Sequence, residues 1–418
     1  MQESAAGELA EHGAVERSDA LNNSWRARLA FPLLAYSFAA LMVGTTLPTP
    51  IYALFAEHMH FSLLTTTVVF ATFVGGVLVS LLAFGRWSDA VGRRPMLLLA
   101  TVFAVSSAAV FLVATGVGDL LLGRVLSGLS AGVATGTATA AVIEAAPENW
   151  RGRAAAVATV ANIGGLGLGP LLAGVLVQYA PAPLKLPFVV HIALMLLAAA
   201  CVGVAPETSP RNGRIGLQRL ALPPEVRAVF ITAATAGFAG FAVLGHFSAA
   251  SPSFLSSVIG IHNNAVAGAV VFSIFASSAL AQRASARVEA NRALAVGCAV
   301  LVVGTLIVAA SLQFSSLALL LLGAFVAGAG QGISFSRGLA AVADQTPADR
   351  RAEVSSTYFF VAYIGLSLPI IGEGLAAEAW GLRTAGIVFA LAAAALATVC
   401  LAAVMARERR LSRRSIRV

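Results

Sequence analysis

Twelve predominantly apolar stretches run along the 418-residue chain, and this pattern constrains the fold more than any other feature. At roughly 20 residues, such a stretch crosses the hydrocarbon core of a membrane as a helix. The predicted stretches are 29–53, 62–84, 95–115, 120–145, 154–179, 186–205, 228–250, 265–282, 293–312, 315–342, 353–376 and 382–406. Only 11% of the residues are charged, whereas soluble proteins have about a quarter. The sequence therefore predicts an all-α integral membrane protein with twelve transmembrane helices, and it excludes a water-soluble enzyme and a disordered chain.

The connections between the stretches hold nearly all of the charge, and its distribution predicts the orientation. Of the 27 Lys and Arg residues, 23 lie in segments that would share one side of the membrane with both termini. Because basic loops are retained in the cytoplasm, both termini are predicted to be cytoplasmic. An acidic tail at 1–28, a central loop at 206–227 and a basic tail at 407–418 would lie on that side. The net charge of +8 thus marks a membrane face, and we expect no nucleic-acid partner.

The chain also repeats itself at an offset of 200 residues. Residues 140–151 and 340–351 share small residues, one acid, a proline and a final arginine. Four glycines coincide at the same offset, namely Gly123, Gly128, Gly132 and Gly165 with Gly323, Gly328, Gly332 and Gly365. The repeat predicts two related six-helix bundles, at 29–205 and 228–406. Secondary transporters often have such repeats, with a substrate site between them near the membrane midplane.

The connection after the second stretch contains one acid and a double arginine. Residues 85–95 read GRWSDAVGRRP and resemble the G-x-x-x-D-x-x-G-R-[RK] motif of the major facilitator superfamily. Arg124-x3-Gly128 and Glu144-x6-Arg151 are similar to parts of two further motifs of that family. The resemblance covers all of the chain except its two tails. It implies the major facilitator fold, with two pseudo-symmetric six-helix bundles, in a bacterial inner membrane.

The resemblance implies that the double-arginine loop belongs to a conformational latch on the cytoplasmic side. Asp89 stands among arginines at the end of a helix, where it can pair with a guanidinium and release it as the halves move. The implied latch residues are Gly85, Asp89, Gly92, Arg93, Arg94, Glu144 and Arg151. The alternative is that the loop only anchors the topology by contact with lipid phosphates. Because the second half has Ala293 at the position of Arg93, we expect an asymmetric latch.

The fifth stretch is rich in glycine. Gly165, Gly169, Pro170 and Gly174 resemble a G-x3-G-P-x2-G-G motif of drug/proton antiporters, in which Ala173 replaces one glycine. Small residues at this spacing also let helices approach in any membrane bundle, and a proline bends a helix. The pattern therefore predicts close packing, and the resemblance implies export rather than import.

Charged and titratable side chains are rare inside the stretches. Arg124 is predicted either to extend its head group to the outer interface or to face the central cavity, where it could bind an anion or take part in proton coupling. No stretch has an acid at its centre, so the carrier of a coupled proton is not evident. The possible proton carriers are Glu373, His246 and His191, although each also fits an interfacial position.

The resemblance implies a cavity lined by the first, fourth, seventh and tenth helices, with contributions from the second, fifth, eighth and eleventh. The residues expected on its walls are Tyr36, Thr45, Arg124, Asn162, Phe238, Phe241, Gln331 and Tyr358. Aromatic and weakly polar groups without fixed acids suit an amphipathic neutral or anionic organic compound better than a dication.

The resulting functional prediction is a secondary transporter of small organic molecules that works by alternating access. The resemblance favours proton-coupled efflux of drug-like compounds or metabolites. An importer or uniporter of a sugar-like or organic-acid solute is the alternative, and a non-transporting membrane sensor is a third hypothesis. No HExxH, GxSxG or GxxxxGK[ST] motif occurs, so we expect neither an enzyme nor an ATP-driven pump. The expected partners are a small-molecule substrate, protons and the lipid bilayer, with a monomeric protein, no cofactor and no metal.

Overall fold

The computed structural model describes residues 29–415, with side chains to Arg407, and this part of the chain is helical apart from its connections. Twelve of the helices in it are long and apolar enough to cross a membrane. They are α1 (Leu29–Met59), α2 (Leu63–Phe84), α3 (Arg93–Leu112), α4 (Val117–Glu144), α5 (Arg151–Tyr179), α6 (Leu186–Val204), α7 (Arg227–Ala249), α8 (Asn264–Ser285), α9 (Ala290–Gln313), α10 (Leu317–Asp344), α11 (Arg351–Trp380) and α12 (Leu382–Ser415). The predicted twelve-helix fold is confirmed, since each predicted stretch overlaps one of these helices. The predicted acidic tail and the end of the basic tail lie outside the described residues.

Capping side chains set several of the helix starts. Ser62, Asn263 and Ser316 precede α2, α8 and α10, and each accepts a hydrogen bond from the backbone N–H three residues later. Such caps satisfy one of the free N–H groups that every helix N-terminus leaves. The starts of these helices therefore follow from the local sequence.

The first helix is interrupted by two prolines. It is continuous over residues 29–46, because Pro48 and Pro50 have no N–H to donate to the preceding turn. The chain continues as a 3-10 turn at Thr49–Ile51 and a short helix at Tyr52–Met59. Carbonyl groups near the interruption are consequently free to accept hydrogen bonds from side chains.

The sequence repeat corresponds to repeated packing. In the first half α2 packs along α4, and in the second half α8 packs along α10. A side chain at Gly128 would clash with the carbonyl of Phe73, and one at Gly328 would clash with the carbonyl of Ile274. Glycines at equivalent positions thus allow the same close helix approach in both halves.

The two halves contact each other mainly through α5 with α8 and α2 with α11. A side chain at Gly174 of α5 would clash with the carbonyl of Asn264 at the start of α8, and Gly374 of α11 packs tightly on α2. Both contacts lie near the end of the bundle opposite to Arg93 and Glu144. We call the end that carries Arg93 and Glu144 the motif end, and the opposite end the far end. At the far end the halves are therefore in direct contact.

Candidate functional site

At the motif end, one arginine joins two carboxylates. Arg93 lies at the first residue of α3, and its Nη1 is 2.6 Å from Oδ1 of Asp89. Its Nη2 and Nε lie 2.9 Å and 3.3 Å from the two carboxylate oxygens of Glu144, at the end of α4. Two parallel N–H···O bonds of this kind fix the orientation of both groups. The side chain of Arg93 is 11% exposed, so the two carboxylates, rather than water, balance most of its charge.

A third carboxylate completes this network, and no sequence motif predicted it. Glu207, in the central loop, accepts hydrogen bonds from the backbone N–H groups of Arg93 (2.8 Å) and Arg94 (3.2 Å). It therefore caps the N-terminus of α3, where a negative charge is favoured. Gly92 makes room for it, because its φ is +117° and a side chain there would clash with the Glu207 carboxylate. No local spacing links Glu207 to α3, since more than a hundred residues separate them.

The pKa of Glu207 reflects this environment. Partial burial alone would raise the pKa of the carboxyl group, but backbone N–H groups of Ser209, Arg93 and Arg94 bond to its charged form and hold the pKa below its ordinary value. Arg211 adds an ion pair at 3.4 Å. The carboxylate is thus stabilised in the ionised form that the capping contact requires.

The central loop crosses the motif end as an extended segment, which we call the central strap (207–221). Thr208 donates a hydrogen bond to Glu144 at 2.7 Å. The backbone N–H of Gly213 donates to the carbonyl of Asp89 at 3.1 Å, and further along the strap the N–H of Gln218 donates to the end of α2 at 2.8 Å. Ala221 then bonds to the hydroxyl of Thr357 in α11, at 3.0 Å. The strap therefore connects the first-half motif to a second-half helix.

The other predicted latch residues occupy different places. Gly85 lies under the strap, next to Gln218. Arg94 donates to the carbonyl of Gly203 at the end of α6. Arg151 lies outside the network, because it is 71% exposed and its only ion pair among the described residues is a 3.7 Å contact with Glu148. In the part of the chain that the structure describes, the ion pairs at the motif end thus lie in the first half and the central strap, and none reaches the second half.

A second site with titratable side chains lies inside the second half. Nδ1 of His246 in α7 is 2.8 Å and 3.1 Å from the two carboxylate oxygens of Glu373 in α11. The side chains are 1% and 0% exposed, and Nε2 of His246 has no hydrogen-bond partner. The structure thus brings together two of the three predicted proton carriers, and neither lies at an interface with water.

Aromatic rings enclose the His246 ring. Phe389 stacks on it at 5.1 Å with an interplanar angle of 15°, and Phe254 and Phe247 lie within 5.4 Å. Such surroundings exclude water and strengthen any electrostatic interaction of the pair. Among the described residues, no group of three or more His, Cys, Asp or Glu side chains could hold a metal ion.

The third predicted carrier, His191, lies apart from this pair, in the core of the first half. It is 3% exposed and lines a small cavity together with Thr45, Ser107 and Ser127. Its Nε2 has no hydrogen-bond partner. The ring rests against Gly44 of α1, where any side chain would overlap it.

Arg124 neither reaches an interface nor pairs with an acid. It is 1% exposed, and its Nη1 donates to the carbonyl of Thr45 at 2.7 Å. Its guanidinium carbon lies 4.5 Å, 5.4 Å and 5.9 Å from the ring centres of Phe73, Phe70 and Tyr52. Of the two alternatives, extension of Arg124 to the outer interface does not hold, because three rings and a freed carbonyl retain it inside. At 1% exposure, Arg124 does not line an open cavity in this structure either.

The glycine-rich α5 packs on both halves. Gly165 and Gly169 face the carbonyls of α1, and Gly174 faces α8. Pro170 lacks the N–H that would bond to the carbonyl of Leu166, and Thr46 of α1 donates to that carbonyl at 2.7 Å. The motif therefore forms tight helix contacts, as its small residues predict.

Two of the predicted cavity residues lie in the core of the second half, and a third, Tyr36, is partly buried against the core of the first half. Tyr358 is 0% exposed and donates to the carbonyls of Ala233 and Phe335, while the buried Gln331 accepts a hydrogen bond from Ser278 at 2.7 Å. Tyr36 donates to a carbonyl of α6 at 3.2 Å. These positions correct the prediction, because the polar atoms of the three residues are used within their own bundles. Thr45 is also buried.

Other aromatic residues form a partly exposed cluster at the helices predicted to line the cavity. Phe241, which was predicted, lies 4.8 Å from Phe335 and 5.9 Å from Tyr363, measured between ring centres. Phe359 lies 5.7 Å from Phe335. Phe238 and Asn162 are also partly buried. Phe335, Phe359 and Tyr363 were not predicted at this site, although Phe359 and Tyr363 are four residues apart on α11 and lie on one face of it.

A family model decides the classification of this twelve-helix bundle. The model of the Major Facilitator Superfamily matches residues 33–368. The chain belongs to the major facilitator superfamily. As a member, it is a multi-pass membrane transporter for small molecules and not an enzyme.

Several known transport and resistance proteins are similar to parts of the chain. Multidrug resistance protein 2 of Bacillus subtilis (strain 168) is 29% identical over 167 residues, which are 40% of this chain and 41% of that protein. The class E tetracycline resistance protein of Escherichia coli is 37% identical over 91 residues, or 22% of each chain. The proton myo-inositol cotransporter of Homo sapiens is 37% identical over 92 residues, covering 22% of this chain and 14% of that protein. The matched regions thus span less than half of each relative.

Two solved structures share the fold over nearly the whole chain. A bacterial homolog of the human lysosomal transporter Spinster, in an inward-facing and unoccupied conformation, has a TM-score of 0.66 at 14% identity and covers 91% of this chain and 98% of its own. The human organic anion transporter MFSD10 (TETRAN) has a TM-score of 0.62 at 16% identity and covers 90% and 99%. At these identities the similarity establishes the major facilitator fold.

Proposed function

We propose that this transporter exports small amphipathic organic molecules from a bacterial cell, coupled to the entry of protons. It acts as a monomer in the inner membrane, with both termini in the cytoplasm. The motif end then faces the cytoplasm and the far end faces outward. In this orientation the far-end contact between the halves would close the outer side, as an inward-facing state requires.

The observation that carries this proposal is the position of the buried His246–Glu373 pair. Gly374, the residue after Glu373, packs on α2 at the far-end contact between the halves. Gly245, the residue before His246, packs on the carbonyl of Leu366 in α11. A change in the charge of the pair therefore acts on a helix that helps to close the outer side.

The cost of burying charge gives the direction of coupling. With His246 protonated and Glu373 ionised the pair is neutral overall, and it can stay buried while the far end is closed. Loss of that proton to the cytoplasm leaves an uncompensated buried carboxylate, which is strongly unfavourable. Opening the far end relieves this cost, because Glu373 then meets water and the pair regains a proton from outside. Each proton taken up outside thus favours closure of the far end.

Two further observations support export of amphipathic compounds. The aromatic cluster of Phe241, Phe335, Phe359 and Tyr363 offers apolar area to a substrate without any fixed charge. Two of the relatives are named for resistance to tetracycline or to several drugs, which is the outcome of efflux.

We propose that the motif-end network acts as the cytoplasmic latch through the central strap. Glu207 and Thr208 tie the strap to Arg93 and Glu144, and its other end bonds to Thr357 of α11. Closing the cytoplasmic side would shorten the path that the strap covers. The first-half ion pairs thereby influence a second-half helix without touching it.

The test is transport in proteoliposomes with an imposed pH gradient. Tetracycline, ethidium and 4-phenylbutyrate serve as zwitterionic, cationic and anionic probes. We expect gradient-driven movement of at least one probe by the wild type and its loss in Glu373→Gln, whose carboxamide cannot bind and release a proton. Exchange of labelled for unlabelled probe, which needs no net proton movement, should persist in this variant.

Glu378→Gln is the matched control, because Glu378 lies on the same helix but is exposed. It should transport like the wild type. Gradient-driven transport by Glu373→Gln at the wild-type rate would overturn the coupling role of the pair. Movement of a probe that ignores the pH gradient in the wild type would instead indicate a uniporter, and accumulation in the direction of the proton would indicate an importer.

A further inference from the structure

The first half contains a buried cation without a compensating acid. No carboxylate oxygen lies within 4.0 Å of Arg124 in the part of the chain that the structure describes. Cation–π contacts with Phe70, Phe73 and Tyr52 stabilise the guanidinium but leave its charge in place. Burying such a charge inside a membrane protein is energetically expensive. Charged residues at such positions usually have a function.

Two polar atoms at this position have no partner. Nε of Arg124 and the hydroxyl of Tyr52 are both buried, and neither makes a hydrogen bond. The Tyr52 ring centre lies 5.9 Å from the guanidinium carbon, so the two free groups belong to one site. Buried donors without acceptors carry the full cost of their lost hydration, which a bound acceptor would remove.

The fold itself does not need a charge at this place. At the 200-residue offset, the position of Arg124 is taken by Ala324, which is 0% exposed in α10. Tyr52 corresponds to Pro252. The second half thus packs the equivalent helices without either polar group. The packing of the bundle therefore does not require an arginine at this position.

We propose that Arg124 and Tyr52 bind the anionic group of the transported molecule, and that the substrate class is therefore an amphipathic organic monoanion. This inference rests on the proposed transport function and identifies its substrate class. The carboxylate or sulfonate of the ligand accepts from Nε of Arg124 and from the Tyr52 hydroxyl. The rings of Phe70 and Phe73 contact its apolar part. Because Arg124 is 1% exposed, the ligand reaches it only when α2 separates from α1 and α4.

Equilibrium binding to the purified protein tests this without any transport step. The probes are 4-phenylbutyrate and its uncharged analogue 4-phenylbutyramide, measured by calorimetry in a neutral detergent. We expect the wild type to bind the carboxylate at least about tenfold more tightly than the amide, as a charge-assisted hydrogen bond allows. Arg124→Gln should abolish this preference, and Tyr52→Phe should reduce it by a few fold.

Two controls keep the outcome decisive. Arg383→Gln removes an exposed arginine that bonds only to Ser315, and it should keep the wild-type preference. Tyr52→Phe retains the ring, so it reports on the site even if Arg124→Gln does not fold. A wild type that binds both probes equally, or a Tyr52→Phe variant with an unchanged preference, would overturn the proposal.

A lipid phosphate shares the anionic chemistry, so a third arm replaces the probes with vesicles of phosphatidylglycerol or phosphatidylcholine. Stabilisation by phosphatidylglycerol that depends on Arg124, without a carboxylate preference, would assign the site to a lipid and overturn the substrate role. If the protein prefers the carboxylate but shows no proton-coupled transport, the anion site is supported and only the proposed proton coupling is overturned.

Discussion

The two halves make different contacts at the same repeat position on their first helices. In the first half Thr46 of α1 donates a neutral hydrogen bond to the Leu166 carbonyl of α5, at 2.7 Å. In the second half the equivalent residue is His246 of α7, which pairs with Glu373 of α11 at 2.8 Å. The helix pairs are the same, but only one pair contains titratable groups.

The same contrast holds elsewhere in the molecule. Arg124 of α4 corresponds to Ala324 of α10, and Arg93 corresponds to Ala293. The glycines that allow close helix packing are retained in both halves, as Gly128 and Gly328 show. The repeat therefore preserves packing and not chemistry. We infer that the first half supplies the anion site and the latch, and that the second half supplies the proton site.

The largest effect should come from removing Arg93, which would make the first half resemble the second. Arg93→Ala leaves Asp89 and Glu144 without their partner, and we expect loss of transport with normal membrane insertion. The unfolding free energy should fall by about 1–2 kcal/mol, because solvent screens the partly exposed carboxylates. Transport assays and thermal unfolding measure the two effects.

The control is Arg292→Ala, at the corresponding end of α9. Its side chain makes no ion pair among the described residues, so transport should stay close to the wild-type level. Equal loss in both variants would mean that the two loops contribute alike, and the asymmetry would be wrong.

A smaller effect should distinguish the two glutamates that cap α3 and α9. Glu207 caps α3 from the central strap, whereas Glu289 caps α9 from the adjacent position, and backbone N–H groups lower the pKa of both. Because the folded-state pKa is lowered, the stabilisation is present above the ordinary pKa of about 4.3 and is lost as the pH falls through the folded value. Glu207→Gln should therefore lower the melting temperature at pH 7, with a difference that shrinks as the pH falls below about 4.

The two capping glutamates should also differ in their effect on transport. Glu207→Gln should slow transport, because the strap loses its hold on the motif end. Glu289→Gln should show a similar pH-dependent stability change with transport intact. A stability difference that grew on acidification would contradict the assignment of Glu207 as an ionised cap.

The smallest effect should come from Thr46→Val, which removes the neutral bond to the Leu166 carbonyl. Polar interactions of this kind in membrane proteins contribute about 0.6 kcal/mol on average, so the unfolding free energy should fall by that order. Thr232→Val is the control, since its hydroxyl is exposed and bonds within its own helix. We expect no change in the pH dependence of transport, in contrast to any variant of His246.

Much of the fold could be predicted from the sequence because membrane burial leaves a long apolar signal for every helix. The glycine spacing of α5 predicted close packing, and Gly165 and Gly169 indeed face α1. The double-arginine motif predicted that Asp89 pairs with a nearby arginine, and Arg93 is its partner across the bend at Gly92. These features depend on local spacing, which a single sequence contains.

The pairing within the candidate sites could not be predicted, because it depends on contacts between distant segments. His246 and Glu373 are 127 residues apart, and each alone fits an interfacial position. Glu207 stands in a polar loop without a motif, and only the fold places it at the N-terminus of α3. Tyr358 was expected on a cavity wall, but the face of α11 that carries it is directed into the core.

The central claim is that the His246–Glu373 pair holds the proton that is exchanged for substrate. Purified protein in weakly buffered solution, with a pH-indicator dye, gives the most direct measurement when a transported probe is added. The account predicts release of about one proton per wild-type molecule and per Glu378→Gln molecule, and none from Glu373→Gln. Wild-type proton release from Glu373→Gln would contradict it.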